Sequence, residues 1–143
     1  MTILSSDRNT PRLDGDMRHG FVAGGSLIYA GAIVLRAADG YLHEGHTATG
    51  MVGVGRAEER IDNRIGADGE EGLTYRPGIY KFANSAAADE ITRADIGSLA
   101  YVVDDQTVAK TDGTGTRSPA GIIDGVDADG VWVRFDEALT KAS

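Results

Sequence analysis

The chain contains no cysteine. That removes a disulfide frame, a thiolate metal site and a cysteine nucleophile in one step. Aromatic side chains are scarce, with three Phe, five Tyr and one Trp in 143 residues. Long apolar runs are missing too. The best, Gly31–Leu35, is cut by Arg36, far short of the 18 or so residues of a membrane helix. The opening stretch MTILSSDRNTPRLDGD has no apolar segment of the kind that marks a secretory leader, so no export signal is expected there. Positive charge is in short supply, 14 Lys and Arg against 22 Asp and Glu, for a net charge of −8. Neutralising phosphates takes clustered Lys and Arg, so duplex nucleic acid is a poor partner for such a surface.

What remains is lean. Of the 41% hydrophobic residues, 19 are Ala and only 31 are Ile, Leu, Val or Phe. That places the chain just above the roughly one-fifth below which charged chains tend to disorder. Glycine, at 20 residues, is about twice its usual share. The length suits one domain with a modest core, and the composition suits a soluble, acidic, intracellular type.

Residues 1–20 differ from the rest. Three acids (Asp7, Asp14, Asp16) balance three arginines (Arg8, Arg12, Arg18), Pro11 interrupts, and Ile3, Leu4, Leu13 and Met17 follow neither a helical nor a strand period. This predicts an extended N-terminal arm, either a frayed terminus or a segment that orders against another subunit; in the second case Ile3, Leu4, Arg8, Pro11, Arg12 and Leu13 are the candidate contact residues. Residues 21–136 read as a β domain and 137–143 as a C-terminal tail.

Within the domain, short β-branched runs alternate with Gly/Asp turns. Ser26–Tyr29 and Ala32–Arg36 flank Gly31, and Asp39-Gly40 leads to Tyr41–His43, a strong hairpin signal. Thr49–Val54 is a further strand. The acidic stretch Glu58–Gly72, broken by Gly66 and Gly69, reads as a mobile surface loop. Two short strands flank Arg76-Pro77-Gly78, whose Pro and Gly suit a turn. With so few aromatics, the first duty of Tyr75, Tyr80, Phe82 and Trp132 is core packing; because aromatics and Arg carry interface energy, Tyr75, Arg76 and Tyr80 around that turn are the alternative candidate contact residues. One short helical turn is expected at about 92–96, stopped by Gly97. Leu99–Val103, Thr107–Ala109, Ala120–Val126 and Val131–Phe135 complete the strands. In the last, Val131, Val133 and Phe135 alternate with Trp132 and Arg134, the pattern of a half-buried strand. The expected fold is mainly β, a small barrel or sandwich of short antiparallel strands.

No motif carries catalysis. His43-Glu44-Gly45-His46 is one residue short of the helical zinc spacing and is broken by Gly45. Asp124–Gly130 fails as a calcium loop: counting from Asp127, Trp132 stands where Gly is needed and Ala138 where Glu is needed. Gly53-Val54-Gly55 lacks the third dinucleotide-loop glycine, and no serine sits in a G-x-S-x-G elbow. No catalytic residue, metal or cofactor is therefore expected.

The segment Ile91–Phe135 carries three recurring pieces: I-T-R-A-D-I-G at Ile91–Gly97, A-Y-V-V-D-D-Q-T-V at Ala100–Val108, and G-I-I-D-G-V-D-A-D-G-V-W-V at Gly121–Val133. It resembles the capsid decoration, cement or minor head proteins of tailed, Mu-like bacteriophages. About a third of the chain carries the likeness firmly, and it extends loosely back to about Phe21; residues 1–20 and 58–72 carry none of it. These pieces are structural turns, so they bring no catalytic residues with them. The resemblance implies a small β protein made in the bacterial host cytoplasm. It would end on the virion, bound outside the head to the major capsid protein and to itself as a trimer or dimer. Two other classes compete: a small β-fold enzyme, which needs His19, His43, His46 and loop acids in one pocket, and a glycan-binding phage module, which needs Tyr75, Tyr80 and Trp132 on one platform.

Overall fold

A computed structural model describes residues 2–143. The chain is 42% strand and 8% helix, in three antiparallel sheets. Sheet I has the order β1 (Arg18–Phe21), β7 (Gly72–Arg76), β5 (Val52–Ala57), β3 (Ile33–Arg36), β4 (Leu42–Glu44). Sheet II has the order β10 (Val108–Ala109), β9 (Leu99–Val102), β11 (Pro119–Asp127), β12 (Gly130–Phe135), β8 (Gly78–Phe82). A ribbon of β2 (Ser26–Ile28) and β6 (Ile61–Asn63) forms the third. Of the two expected forms, the sandwich is the one adopted. Each five-stranded sheet curls until its edges touch at one parallel bridge, Val22 to Leu42 in sheet I and Ala83 to Thr107 beyond sheet II. Neither closes into a barrel.

The hinge of the architecture is β3. Ile33, Val34 and Leu35 are all fully buried, which a strand achieves only with both faces covered. Alternation sends Ile33 and Leu35 into the larger core, with Val102, Ala120, Val131, Val133 and Phe135 of sheet II. Val34 turns the other way, into a second core with Ile28, Leu42, Val54 and Leu73. Each such side chain contributes about 1.5–3 kcal/mol by leaving water. The sheets meet most closely where β5 crosses β11: a side chain on Gly53 would run into the Ala120 carbonyl.

Local chemistry explains most elements. In the β3–β4 hairpin, Gly40 takes a left-handed φ of 91° and the Asp39 carboxylate accepts from the Tyr41 N–H at 3.1 Å. The expected helical turn is a 3-10 turn at Arg93–Asp95, with the Asp95 carboxylate accepting from the Thr92 N–H at 2.8 Å and Gly97 at φ 94° behind it. Val131, Val133 and Phe135 are buried while Trp132 and Arg134 face out, as their alternation requires.

Five expectations need correcting. The arm is shorter than 1–20, because Arg18–Phe21 already pair with β7. Gly50 turns at φ 80°, so the strand expected at Thr49–Val54 is β5, running later over Val52–Ala57. Residues 58–72 are no mobile loop. They contain β6, and Asn63, only 2% exposed, directs its Nδ2 at the carbonyls of Val22, Ala23 and Ala67 at 3.0–3.2 Å. Asp68 accepts from the Gly24 N–H at 2.7 Å and Gly69 donates to Val22 at 2.9 Å. Arg76-Pro77-Gly78 forms no tight turn: the chain passes with no turn or bend from β7 in sheet I directly into β8 in sheet II, with Gly78 at φ 137°. Finally, residues 137–143 are no loose tail. They form α1 (Glu137–Ala142), started by Asp136, whose carboxylate accepts from the Leu139 N–H at 3.1 Å, and seated by buried Thr140.

Four turn carboxylates are held below their ordinary range. The Arg64 side chain, with its own backbone N–H, holds Asp62 at about 2. The Thr111 hydroxyl lowers Asp89, the Thr92 N–H lowers Asp95, and the Asp129 N–H lowers Asp127. A group whose pKa is depressed on folding adds stability above its unfolded pKa, near 4, and that contribution disappears as pH falls through its folded value. Thermal unfolding is therefore expected to be flat from pH 7 to about 5 and to drop steadily between about 4 and 2. An equal Tm at pH 7 and pH 2.5 would remove this account of the turns.

Candidate functional site

The arm is the part of the chain that the domain does not use. Residues 2–17 form neither strand nor helix. Ile3, Leu4 and Leu13 are 89%, 70% and 76% exposed. Its contacts are mostly internal: Arg12 with Asp14 at 2.8 Å, Arg8 with Thr10 at 3.5 Å, pairs in open solvent worth at most about 1 kcal/mol. One longer ion pair, Asp16 to Arg76 at 3.6 Å, ties its base to the domain. Pro11 stands exposed among them.

Of the three residues expected to share a surface, the structure sets Tyr75 apart and brings Arg76 and Tyr80 together around Arg56 and Glu58. Tyr75 is 5% exposed and belongs to the second core; it is not available for contact. Its hydroxyl accepts from Arg36, which also donates to Glu137, both at 2.8 Å, and to the Gly40 carbonyl at 3.1 Å. Burial opposes the Arg36 charge, but Glu137 and Tyr75 outweigh it and raise its pKa. One guanidinium thus fastens β3, β7, the β3–β4 turn and α1, beside a hollow of about 410 Å³. Arg76 remains partly exposed, with carboxylates of Asp16 and Glu58 each at 3.6 Å. Tyr80 lies under the Arg56 guanidinium, 4.2 Å from its ring centre, and burial raises its pKa.

The residues required by the two competing classes do not assemble. The His43 and His46 rings are 5.9 Å apart, while His19 stands edge-on to Phe21. Among the described residues no three His, Asp or Glu side chains form a metal-holding group. Tyr80 pairs with Val133 and Lys81 with Trp132, so Tyr80 and Trp132 point to opposite faces of sheet II. Trp132 donates to Asp127 at 3.2 Å, with the Lys81 ammonium 5.4 Å from its ring centre.

A feature missed in the sequence lies where the arm enters β1. Met17 and Phe21 are 46% and 57% exposed, on the same side of the strand as His19. Leu13 is not in line with them, because the chain bends at Gly15, with φ 78°. The period-2 signal was present at 17, 19 and 21, but His19 breaks its apolar reading.

The fold and this surface define a small β sandwich with an exposed N-terminal arm. No family model, curated protein or solved structure matches the chain.

Proposed function

We propose that the chain is a structural virion protein that decorates the outside of a tailed-bacteriophage head. There it binds the major capsid protein, bridges neighbouring capsid subunits and makes or breaks no covalent bond. The observation that carries this reading is the arm, which keeps Ile3, Leu4 and Leu13 in water although a folded partner surface would give about 1.5–3 kcal/mol for each. Ordering the arm costs about 1–2 kcal/mol per residue, so apolar burial alone does not suffice. An extended segment recovers the difference by adding its backbone hydrogen bonds to a neighbour's sheet edge. The likeness of Ile91–Phe135 to phage decoration proteins supports the same reading and supplies the identity of the partner.

A lattice also suits a 15.0 kDa domain. Its surface is limited, and several weak contacts made together raise avidity through effective concentration. Purified protein is expected to bind saturably to heads that lack it and to raise their melting temperature. Absence of saturable binding to such heads overturns the proposal.

A further inference from the structure

We propose that the root of the arm is a self-modifying site: the Asp14-Gly15 linkage isomerises to isoaspartate in the folded protein, while the fold holds the other five Asp-Gly pairs of the chain unreactive. This goes beyond the lattice reading and is tested without it.

The step uses only the chain and water. The Gly15 amide nitrogen attacks Cγ of the protonated Asp14 carboxyl group. An N–C bond forms and the C–O bond to the hydroxyl breaks. The hydroxyl leaves as water with the amide proton, and a succinimide ring is closed. Water then adds to one of the two ring carbonyls. Opening at Cγ restores aspartate. Opening at the former main-chain carbonyl leaves isoaspartate, with the backbone running through Cβ and the carboxylate on Cα. One water leaves and one returns, so the mass is unchanged.

The attack has two requirements: a free amide nitrogen, and no side chain crowding its approach. Glycine after aspartate meets the second, because it has no Cβ. The sequence holds six such pairs, beginning at Asp14, Asp39, Asp68, Asp112, Asp124 and Asp129. The first requirement separates them. Gly40 donates its N–H to the Ala37 carbonyl at 2.9 Å, while Asp39 accepts from the Tyr41 N–H at 3.1 Å. Gly69 donates to the Val22 carbonyl at 2.9 Å, while Asp68 accepts from the Gly24 N–H at 2.7 Å. Gly113 donates to the Thr111 hydroxyl at 3.3 Å and Gly130 to the Asp127 carboxylate at 3.1 Å. Asp124 and Gly125 are fixed within β11, where Gly125 stands opposite Trp132 in the ladder with β12. Each of these five pairs must open locally before its nitrogen can turn onto the neighbouring carboxyl.

Asp14-Gly15 has no such lock. It lies in the stretch 2–17, which forms neither strand nor helix, and among the described residues nothing accepts the Gly15 N–H. The Asp14 side chain is 74% exposed, and its partner is Arg12, at 2.8 Å in open solvent, a pair worth at most about 1 kcal/mol. Gly15 stands at φ 78° with open space where a Cβ would be, and glycine leaves that conformation at little steric cost. The other amide-bearing pair of the arm, Asn9-Thr10, puts a branched side chain at the attacking residue, and its deamidation changes the mass.

The site matters because of where it falls. Gly15 is the bend by which the arm meets β1, and its carbonyl accepts from Arg18 at 2.8 Å. Isoaspartate adds one carbon to the backbone beside that bend and moves the carboxylate that Arg12 holds. Residues 2–13 then leave the domain in a new direction, while Arg18–Phe21 stay paired with β7.

The test uses the full chain, incubated in parallel in native buffer below its melting temperature and unfolded in urea. Peptide mass spectrometry with electron-transfer fragmentation counts isoaspartate at all six positions. In urea the six pairs should react at similar rates. In the folded protein position 14 should keep its urea rate and the other five should slow at least about tenfold, which asks only about 1.4 kcal/mol of local opening free energy. Asp14→Glu, which cannot close the five-membered ring, should abolish the position-14 product with the melting temperature unchanged. Gly15→Val should slow it at least about tenfold by crowding the nitrogen. A folded protein that forms no isoaspartate at position 14 when the urea sample does, or one in which another Asp-Gly pair reacts as fast, overturns the proposal.

Discussion

Replacing Gly53 with valine is expected to leave no folded protein at room temperature, and alanine alone is expected to cost at least about 3 kcal/mol, the upper range for overpacking. Gly53 pairs with Leu35 in β3 and sits in a strand whose residues 52–55 are all buried. Its backbone is not in the left-handed region, so the constraint is space. A Cβ there meets the carbonyl, carbonyl carbon and Cα of Ala120. These are backbone atoms of β11 and have no rotamer in which to escape, so the sheets must part. Parting them loosens the packing of Leu35, Val102 and Val133 in the larger core, and domains of this size have only about 5–15 kcal/mol in total. Gly125→Ala is the control, because its Cβ would meet only Trp132 at ordinary contact distances of 3.5 Å and beyond. Urea unfolding of both variants checks the claim. A Gly53→Ala protein within 1 kcal/mol of the parent would mean that the sheets do not approach as described.

Asn63→Leu is expected to cost about 2–4 kcal/mol, more than one ordinary hydrogen bond. The size comes from what is left behind: an unpaired buried polar group costs about 1–3 kcal/mol, and the Asn63 amide serves the carbonyls of Val22, Ala23 and Ala67 together. Leucine fills the volume but donates nothing. The loss should be local as well as global, since the Asn63 amide holds the β6–β7 turn against the Val22–Ala23 segment. Trypsin should cut after Arg64 in the variant and leave the parent intact there. An unchanged urea midpoint with Arg64 still protected would show that the amide is not the lock.

The Asn63 lock also marks where sequence reading stops. Residues 58–72 look like a mobile acidic loop because composition registers six carboxylates and three glycines. What orders them is pairing of β6 with β2 and bonds to the Val22–Gly24 segment some forty residues away, the Asn63 amide chief among them, and no local pattern encodes that. The strands from Leu99 onward were legible because short β-branched runs are bounded by Gly/Asp turns, with clean alternation in Leu99–Val102 and Val131–Phe135. At Arg76-Pro77-Gly78 the Pro and Gly suggested a tight turn that the chain does not make. Whether the chain then pairs with its predecessor or crosses to another sheet depends on which faces need covering, and that is a tertiary matter. Tyr75 is buried, as the core-packing reading of the scarce aromatics expects, while its hydroxyl's bond to Arg36 of another strand has no local signal. On the arm, the exposure of Ile3, Leu4 and Leu13 was anticipated from the absence of any period. The exposure of Met17 and Phe21 was not.

The account rests on the arm reaching a lattice of other proteins, and one titration tests that most directly. Heads stripped of this protein are titrated with the full chain and with a chain lacking residues 2–11. Losing Ile3 and Leu4 forfeits about 1.5–3 kcal/mol each, and every 1.4 kcal/mol is tenfold in affinity. The full chain should saturate the heads and stabilise them to heat, and the shortened chain should bind at least about tenfold more weakly while melting at the same temperature when free. Equal binding by the two chains, or binding by neither, contradicts the account.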